Sequence, residues 1–349
     1  MTHTVRVALV GLGNVGRALL DLMIRKAGTL RDQYGLELVL TGAADSSGAV
    51  LDAQGLAPGE LRAHKSSGGG AGNYRGGQAG MSAPQMVELV AADVLVEAAA
   101  VNLQNGQPGL DCARAALRRG IGVVLADKGP LVHAFGELTA AAKAARFGLA
   151  YSATVCGALP VVNIGQRDLV ACDVRLVRGI FNSTSNSILQ AMAGGGSYEQ
   201  ALRQAQLDGI AEADPSLDVE GWDTANKLVI ITNSILGQPA TLADVQPVVG
   251  ITKISAAEIH ERAALGQVVK LVATAERENG RYALSVQPEW LPLNEFLAGV
   301  TGWEMGIVFD TDIMGLQQFK VDERGPGPTA AAVLRDVINV INLSAKPAN

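Results

Sequence analysis

The chain has 349 residues, enough for about two domains, with 18% charged residues, 4% aromatic residues and a net charge of −6 at pH 7. No cluster of lysine and arginine residues lies along any predicted helix, so nucleic acid is not an expected partner. No apolar run reaches the roughly 18 residues that a membrane span requires, so a membrane is not expected either.

The N-terminal segment predicts a strand, a glycine turn and a helix. Residues 5–10, "VRVALV", predict a short buried strand, and "GLGNVG" (11–16) then opens a helical pattern. Gly11, Gly13 and Gly16 fit the dinucleotide fingerprint, in which the glycines allow a tight turn, close approach of backbone to pyrophosphate and close packing of helix on strand. Backbone N–H groups at the helix N-terminus would bind the phosphates.

A second strand is predicted over residues 36–45, and it ends on Asp45. A carboxylate at this place can accept from both ribose hydroxyls, which favours NAD. Asp45 lies further beyond the glycines than is usual, and Ser46 and Ser47 could instead donate to the 2′-phosphate of NADP. The sequence therefore leaves the choice between NAD and NADP open.

A glycine-rich segment follows, with seven glycines between residues 66 and 80. Its composition predicts a mobile surface loop within the first domain. The alternative is a lid over the nucleotide, since Lys65 and Arg75 flank the segment and could contact a phosphate.

Further apolar strands are predicted at 93–100 and 121–127, with a helix over 110–119 between them. This order of strands and helices predicts a parallel sheet covered by helices on both faces. Lys128 follows the last of these strands at its carboxyl end, where ligands bind in an open parallel sheet.

The pattern changes after residue 150. Strands are predicted at 174–180, 268–276, 281–291, 305–311 and 314–321, with a tight turn at Asn279 and Gly280. We expect an α/β protein in which residues 1–150, joined by a C-terminal helix within 322–349, form a Rossmann dinucleotide-binding domain. Residues 151–321 would form an α+β substrate-binding and dimerisation domain with an open mixed sheet.

The segment "GIAEADPSLDVEGWDTANK" (209–227) contains five carboxylates and a single cation, Lys227. Carboxylates at this density repel one another unless a cation lies among them. Asp223 precedes Lys227 by one turn of a helix that continues as an apolar run, so the pair is expected at the start of a buried helix. An ordinary exposed ion pair is the alternative, but the buried helix favours a functional site.

Two further features of the sequence concern the cellular location of the protein and the residue that transfers a proton. Cys112, Cys156 and Cys172 lack metal-ligand spacing, and the N-terminus enters a strand directly, so a cytoplasmic protein with reduced thiols is expected. The four histidines fall in predicted loops or on helix surfaces, which makes lysine the better candidate for proton transfer.

Several separate motifs resemble homoserine dehydrogenase of the short form, without a regulatory ACT domain. They are "GLGNVG", "DKGPL", "SATVCGALP", "RGIFNSTSNSIL", the acidic segment 209–227 and "GPGPTAAAVLRD". The resemblance runs along the whole chain, and it implies a homodimer that interconverts L-homoserine and L-aspartate 4-semialdehyde by hydride transfer with NAD or NADP.

The resemblance also implies roles for individual residues. Lys227 and Lys128 would be catalytic, and Glu212, Asp218 and Asp223 would bind the substrate, whose ammonium group needs carboxylates. A sodium ion would bind backbone carbonyls of Val155, Gly157 and Leu159. The cofactor would contact Gly11, Leu12, Gly13, Asn14, Val15, Gly16, Asp45, Ala98, Ala99, Lys128, Gly209 and Gly325.

This sequence departs from the usual pattern of that family at several positions. Ser152 stands where an acid contributes to the metal site, Asp127 stands where asparagine is usual, and Ala99 and Ala100 stand where a hydroxyl residue often lies near the nicotinamide. Two other functions remain open at this point: a non-catalytic protein that binds dinucleotide and amino acid, and a dehydrogenase of a related amino alcohol.

Overall fold

The computed structural model describes residues 2–145 and 147–344. The strands are β1 (His3–Val10), β2 (Leu36–Asp45), β3 (Gly48–Leu56), β4 (Gly77–Ala79), β5 (Val94–Glu97), β6 (Gly122–Leu125), β7 (Leu149–Ala150), β8 (Val174–Ile180), β9 (Val245–Val248), β10 (Gln267–Glu278), β11 (Arg281–Pro292), β12 (Glu304–Thr311) and β13 (Gly315–Asp322). The helices are α1 (Asn14–Arg25), α2 (Ala27–Tyr34), α3 (Pro58–Ser66), α4 (Ala83–Leu89), α5 (Gly109–Arg118), α6 (Gly129–Ala145), α7 (Val161–Asn163), α8 (Ser183–Ala193), α9 (Tyr198–Leu207), α10 (Ser216–Val219), α11 (Trp222–Ser234), α12 (Ala256–Ala264) and α13 (Gly327–Ser344).

The chain divides into two compact units. The first unit runs to Ala158 and resumes at Gly325, and the second comprises Leu159–Arg324. In the part of the chain that the structure describes, no helix combines the length and the hydropathy needed to cross a membrane.

A seven-stranded sheet organises the first unit, in the order β4-β3-β2-β1-β5-β6-β7. β2, β1, β5, β6 and β7 are parallel, whereas β3 and β4 add an antiparallel edge. Strands β5 and β6 are buried along their whole length and apolar except for Glu97, as expected for strands covered on both faces. The predicted Rossmann-type fold is confirmed.

Helix α13 packs in the first unit and contributes Val333, Val337 and Val340 to its core. Its contact with the sheet is close: a Cβ added at Gly122 would lie 2.4 Å from Cγ1 of Val340. The helix thus covers β6 after the chain has returned from the second unit.

The glycine-rich segment 66–80 is not the mobile surface loop that its composition predicts. It forms a 3₁₀ turn, Ala71–Asn73, and then β4, which pairs with β3. Gly70, Ala71 and Gly72 are buried, and a Cβ added at Gly72 would lie 2.3 Å from the carbonyl oxygen of Ser47. The glycines here permit close packing of one backbone on another rather than mobility.

The second unit is built on a six-stranded mixed sheet in the order β13-β12-β8-β10-β11-β9. All neighbours are antiparallel except β11 and β9. Asn279 and Gly280, both with positive φ, form the predicted turn between β10 and β11. The expected mixed sheet of an α+β domain is therefore present.

Two helices of the second unit carry polar side chains into its interior. Helix α8 begins after Asn182, whose side chain accepts from the backbone N–H of Ser185 and caps the helix. Helix α11 begins after Gly221, and its apolar residues are buried nearly all round. A helix buried on all sides must satisfy its polar groups inside the protein.

Candidate active site

The glycine turn connects β1 to α1 with the geometry that the fingerprint predicts. Gly11 has a φ of +96°, and a Cβ there would lie 2.2 Å from the carbonyl oxygen of Ala98. A Cβ at Gly16 would lie 2.0 Å from the carbonyl oxygen of Gly11. Both positions therefore require glycine.

Gly13 differs from its neighbours because an added Cβ would meet no atom within 4 Å. Gly13 is also the N-cap of α1, and among the described residues no side chain caps this helix end or places a carboxylate in its first turn. Leu12, Asn14 and Val15 complete the turn. The open, uncapped end suits the pyrophosphate of a dinucleotide, since its N–H groups carry a partial positive charge.

Asp45 lies at the end of β2, and both of its carboxylate oxygens bind protein groups. Oδ2 accepts from Lys65 Nζ at 2.6 Å, and Oδ1 accepts from the backbone N–H and hydroxyl of Ser47 and from the backbone N–H of Ala71. Burial works to raise the pKa of Asp45, but Lys65 and Ser47 outweigh burial and the pKa is lowered. Asp45 is therefore an ionised carboxylate paired with a lysine.

The carboxyl ends of β5 and β6 carry the other candidate residues of the first unit. Ala98 and Ala99 directly follow β5, and the backbone N–H of Ala98 donates to the carbonyl of Val10. Lys128 is half-buried in the turn between β6 and α6. These segments lie at the sheet edge where parallel α/β sheets bind ligands.

In the second unit, α11 places Lys227 and Asp223 on one face at its start. Nζ of Lys227 lies 2.7 Å from Oδ2 of Asp223, with the side chains only 13% and 9% exposed. The same Nζ donates to the carbonyl oxygen of Phe181 at 2.5 Å. The ion pair predicted from the sequence is present, and burial distinguishes it from an ordinary exposed pair.

Asn182 joins this ion pair to a second carboxylate. Its Nδ2 donates to Oδ1 of Asp218 at 2.6 Å and to Oδ2 of Asp223 at 2.8 Å. The hydroxyl of Ser185 donates to the backbone carbonyl of Asp218 and holds that residue against α8. One amide therefore fixes both carboxylates relative to Lys227.

The charge of Asp223 affects the ionisation of Asp218. Burial raises the pKa of Asp218, the neighbouring charge of Asp223 raises it further, and Asn182 and Lys227 offset part of that rise. An added cation near Asp218 and Asp223 would relieve this repulsion. The cluster is thus chemically suited to a ligand that carries an ammonium group.

The remaining predicted residues lie in several places. Glu212 and Gly209 are on the loop between α9 and α10, where Glu212 is exposed and Gly209 has a positive φ. Gly325 is exposed just before α13, and Val155 and Gly157 follow a 3₁₀ turn in the first unit, whereas Leu159 begins the second.

The sequence did not reveal the role of Asn182 or of the Phe181 carbonyl. A sequence signal for Asn182 exists, since asparagine before "STS" and an apolar run is typical of a helix N-cap. That signal predicts a cap, but not that the amide nitrogen also bridges two carboxylates contributed by α10 and α11. The Phe181 contact has no sequence signal because it uses a backbone atom.

A Rossmann unit with an open glycine turn, followed by a unit that buries a lysine among carboxylates, defines an oxidoreductase of the nicotinamide-dinucleotide class. The cofactor would supply hydride chemistry, and the lysine–carboxylate cluster has the groups suited to proton transfer and to binding a charged ligand.

Two family models match the chain: "Homoserine dehydrogenase, NAD binding domain" over residues 11–152 and "Homoserine dehydrogenase" over residues 160–338. The chain belongs to the homoserine dehydrogenase family. The family and the class of enzyme predicted from the sequence motifs are confirmed.

Individual relatives agree with this assignment over nearly their whole length. The chain is 34% identical to homoserine dehydrogenase of Methanocaldococcus jannaschii, covering 97% of this chain and 99% of the relative. It is 32% identical to the NAD(+)-dependent homoserine dehydrogenase of Pseudomonas canavaninivorans, covering 96% of each. A hyperthermophilic archaeal homoserine dehydrogenase in complex with NADPH superposes with a TM-score of 0.84 at 25% identity, covering 97% of this chain and 98% of that one.

Proposed function

We propose that Lys227, Asp223 and Asp218 form the substrate site at which this chain interconverts L-homoserine and L-aspartate 4-semialdehyde. The observation that carries the proposal is the buried contact of Lys227 with Asp223, bridged to Asp218 by Asn182. Residues 1–150 with 322–349 would bind the dinucleotide, and residues 151–321 would bind the substrate.

Substrate recognition follows from charge. Homoserine carries an ammonium group, and Asp218, Asp223 and the exposed Glu212 offer carboxylates on neighbouring segments of the second unit. The repulsion that raises the pKa of Asp218 would be relieved by this ammonium. An analogue without the amine would lose that gain.

When bound, the dinucleotide would supply the hydride chemistry of this interconversion. In the reductive direction, Lys227 would donate a proton to the substrate oxygen on which negative charge develops, and in the oxidative direction it would take that proton from the hydroxyl. Asp223 and the Phe181 carbonyl hold the lysine nitrogen in one place. We assign to Lys128 the orientation of a substrate oxygen.

The cofactor would lie on Gly11–Gly16, with Ala98, Ala99, Lys128, Gly209 and Gly325 as further contacts. Asp45 and Lys65 would face the ribose, where the carboxylate disfavours a 2′-phosphate and the lysine favours it. The relatives include an NAD(+)-dependent enzyme and an NADPH complex. We propose that this chain uses NAD or NADP, with Asp45 favouring NAD.

A sodium ion is the weakest match to this structure. Nη2 of Arg335 donates to the hydroxyl of Ser152 at 2.9 Å, which puts a positive charge where a side-chain ligand would be needed. These residues do not fit a sodium site, and no step of the mechanism passes through one.

We also propose that the chain forms a homodimer through the sheet of the second unit and functions in the cytoplasm. Strand β13 is an edge strand, and the turn that precedes it exposes Ile313 and Met314. Exposed apolar side chains beside an unpaired strand edge are suited to contact with a second chain.

The absorbance of the reduced cofactor tests this function. The loss of NADH or NADPH is followed with L-aspartate 4-semialdehyde, and their formation is followed with L-homoserine. Serine, threonine and 4-hydroxy acids that lack the amine are the comparison substrates. We expect turnover with homoserine and at least about tenfold lower kcat/KM without the amine, because one charge pair is lost. Dinucleotide binding without turnover of any substrate would show that the chain is a non-catalytic binding protein.

A further inference from the structure

Glu97 and Asp127 are two buried carboxyl groups of the first unit that the mechanism above does not use. Glu97 is the last residue of β5, and Asp127 lies two residues beyond β6, the strand that pairs with β5. Glu97 is 0% exposed and Asp127 is 1% exposed. Buried carboxyl groups need a partner or a proton, because an isolated buried charge is costly.

Each group has one oxygen in use and one oxygen without a hydrogen bond. Oε1 of Glu97 accepts from the backbone N–H of Ala99 at 3.0 Å, and Oδ1 of Asp127 accepts from that of Gly129 at 2.9 Å. In the described part of the chain, Oε2 of Glu97 and Oδ2 of Asp127 are buried and receive no hydrogen bond. A proton on one of these oxygens would convert an unsatisfied acceptor into a donor.

Two glycines at helix starts bring the carboxyl groups close to the backbone. A Cβ added at Gly109, the first residue of α5, would lie 3.0 Å from Oε2 of Glu97 and 3.0 Å from Cγ of Pro130. A Cβ added at Gly129, the first residue of α6, would lie 3.2 Å from Oδ2 of Asp127. Glu97 thus lies at the N-terminus of α5, and Asp127 lies at the N-terminus of the adjacent α6. The partial positive charge of a helix N-terminus favours a carboxylate beside it.

The ionisation of the two groups is coupled. Burial raises the pKa of Glu97 to about 8, and the charge of Asp127 raises it as well. Burial also raises the pKa of Asp127 to about 6, against the lowering effects of Gly129, Lys128 and His133. Of the other titratable groups on α5 and α6, Cys112 is buried and its own pKa is raised. Asp111, Arg114 and Glu137 form ion pairs, Arg118 pairs with Glu88, and Lys143 is exposed.

We propose that Glu97 and Asp127 hold one proton between them and act as a positioning pair for the reaction. Through Ala99, Glu97 fixes the peptide after β5, whose neighbouring Ala98 carbonyl packs against Gly11 of the glycine turn. Through Gly129, Asp127 fixes the turn that carries Lys128. The catalytic consequence rests on the proposed function of Lys128, whereas the shared proton does not.

The shared proton is tested by the pH dependence of the thermal midpoint of Asp127→Asn, Glu97→Gln and the unchanged protein. A group whose pKa is raised in the folded state binds more protons folded than unfolded, so its contribution to stability falls as pH rises through the folded value. We expect the midpoint of the unchanged protein to decline between about pH 4, where the unfolded carboxyl groups lose their protons, and about pH 8, where folded Glu97 loses its own. In both variants an amide N–H replaces the proton, so the decline should be smaller.

Equal declines in all three proteins would overturn the shared proton. This readout needs no turnover, so it remains decisive even if the chain does not act on homoserine.

The positioning role is tested by comparing Asp127→Ala with Asp127→Asn. Alanine removes the acceptor for Gly129, whereas asparagine keeps it, so kcat at neutral pH should fall about tenfold to a hundredfold only in the alanine variant. KM for homoserine should change less than kcat, because Asp127 does not contact substrate. Asp93→Ala is the matched control: Asp93 also accepts a backbone N–H, from Arg6, but at the opposite end of β5.

The thermal midpoint of each variant shows whether it has folded. A folded Asp127→Ala protein with the kcat of Asp127→Asn would refute the positioning role.

Discussion

Lys227 offers the sharpest test at the scale of a single residue. Lys227→Ala should lower kcat by at least about a hundredfold, the usual effect of losing general acid–base catalysis. The reason is that its nitrogen is held by Asp223 and the Phe181 carbonyl at one point in the second unit. Steady-state kinetics in both directions would measure the effect.

Lys253→Ala is the control for this experiment, because Lys253 is an exposed lysine of the same unit. A change confined to KM would make Lys227 a binding residue and favour Lys128 as the proton donor. The thermal midpoint must also be compared, since Lys227→Ala leaves the buried Asp223 without its cation.

Asp45 and Lys65 form a second pair whose balance should set the choice of cofactor. Lys65→Ala leaves the Asp45 carboxylate facing the ribose without a cation, so NADPH should lose about tenfold in kcat/KM relative to NADH, which is about 1.4 kcal/mol. Asp45→Asn should shift the ratio the other way, because Lys65 is then available to a 2′-phosphate.

The control is Lys26→Ala, which removes an exposed lysine elsewhere in the first unit. If both variants kept the cofactor ratio of the unchanged protein, Asp45 and Lys65 would not contact the part of the cofactor that differs between NADH and NADPH.

Among the elements, the glycine-rich segment 66–80 has the clearest energetic consequence. Gly72→Ala should lower stability by about 1–3 kcal/mol, because its Cβ would be forced to within 2.3 Å of the Ser47 carbonyl. Gly28→Ala in α2 is the matched control, since an added Cβ there meets no atom within 4 Å. It should leave stability unchanged or raise it by up to about 1 kcal/mol.

Thermal unfolding of the two variants beside the unchanged protein measures the difference. Equal midpoints for Gly72→Ala and Gly28→Ala would mean that the segment accepts the added methyl group without loss of stability, as expected for the mobile loop that its composition predicts.

The elements that the sequence predicted well share a simple origin. β1, the glycine turn and α1 follow from local rules, because one apolar run, three glycines and a 3.6-residue period each act within a few residues. The turn at Asn279 and Gly280 is equally local. The relation of Asp223 to Lys227 follows from helix geometry alone.

What the sequence did not predict depends on distant partners. The composition around Gly70 and Gly72 predicts a flexible linker, but both glycines pack closely against Ser47, which is distant in the sequence. Asn182 looks like a helix cap until α10 and α11 bring Asp218 and Asp223 to its amide. Glu97 ends an apolar strand, and only the packing of Gly109 at the start of α5 against its carboxyl group shows how closely it is enclosed.

At the scale of the whole molecule, the two units divide the chemistry. Under the proposed function, the uncapped helix end of the first unit would bind phosphates, and the lysine and carboxylates of the second unit would bind an amino alcohol. The chain crosses between the units at Ala158 and again near Gly325. Under the proposed function, turnover uses groups of both units, so a disabling variant in either unit should lower kcat/KM.

The proposed homodimer gives the last prediction. Ile313 and Leu316 are 74% and 62% exposed at the tip of the β12–β13 hairpin, on the edge of the second unit's sheet. Replacing both by aspartate should weaken self-association by about 2 kcal/mol or more, since buried apolar anchors dominate interface energy.

Leu89→Asp is the control, because Leu89 is 65% exposed but lies in the first unit. Light scattering over a concentration series should find a dimer for the unchanged protein and the control, and monomers for the double variant. A monomeric unchanged protein would rule out the dimer, and a dimeric double variant would place the interface away from this hairpin.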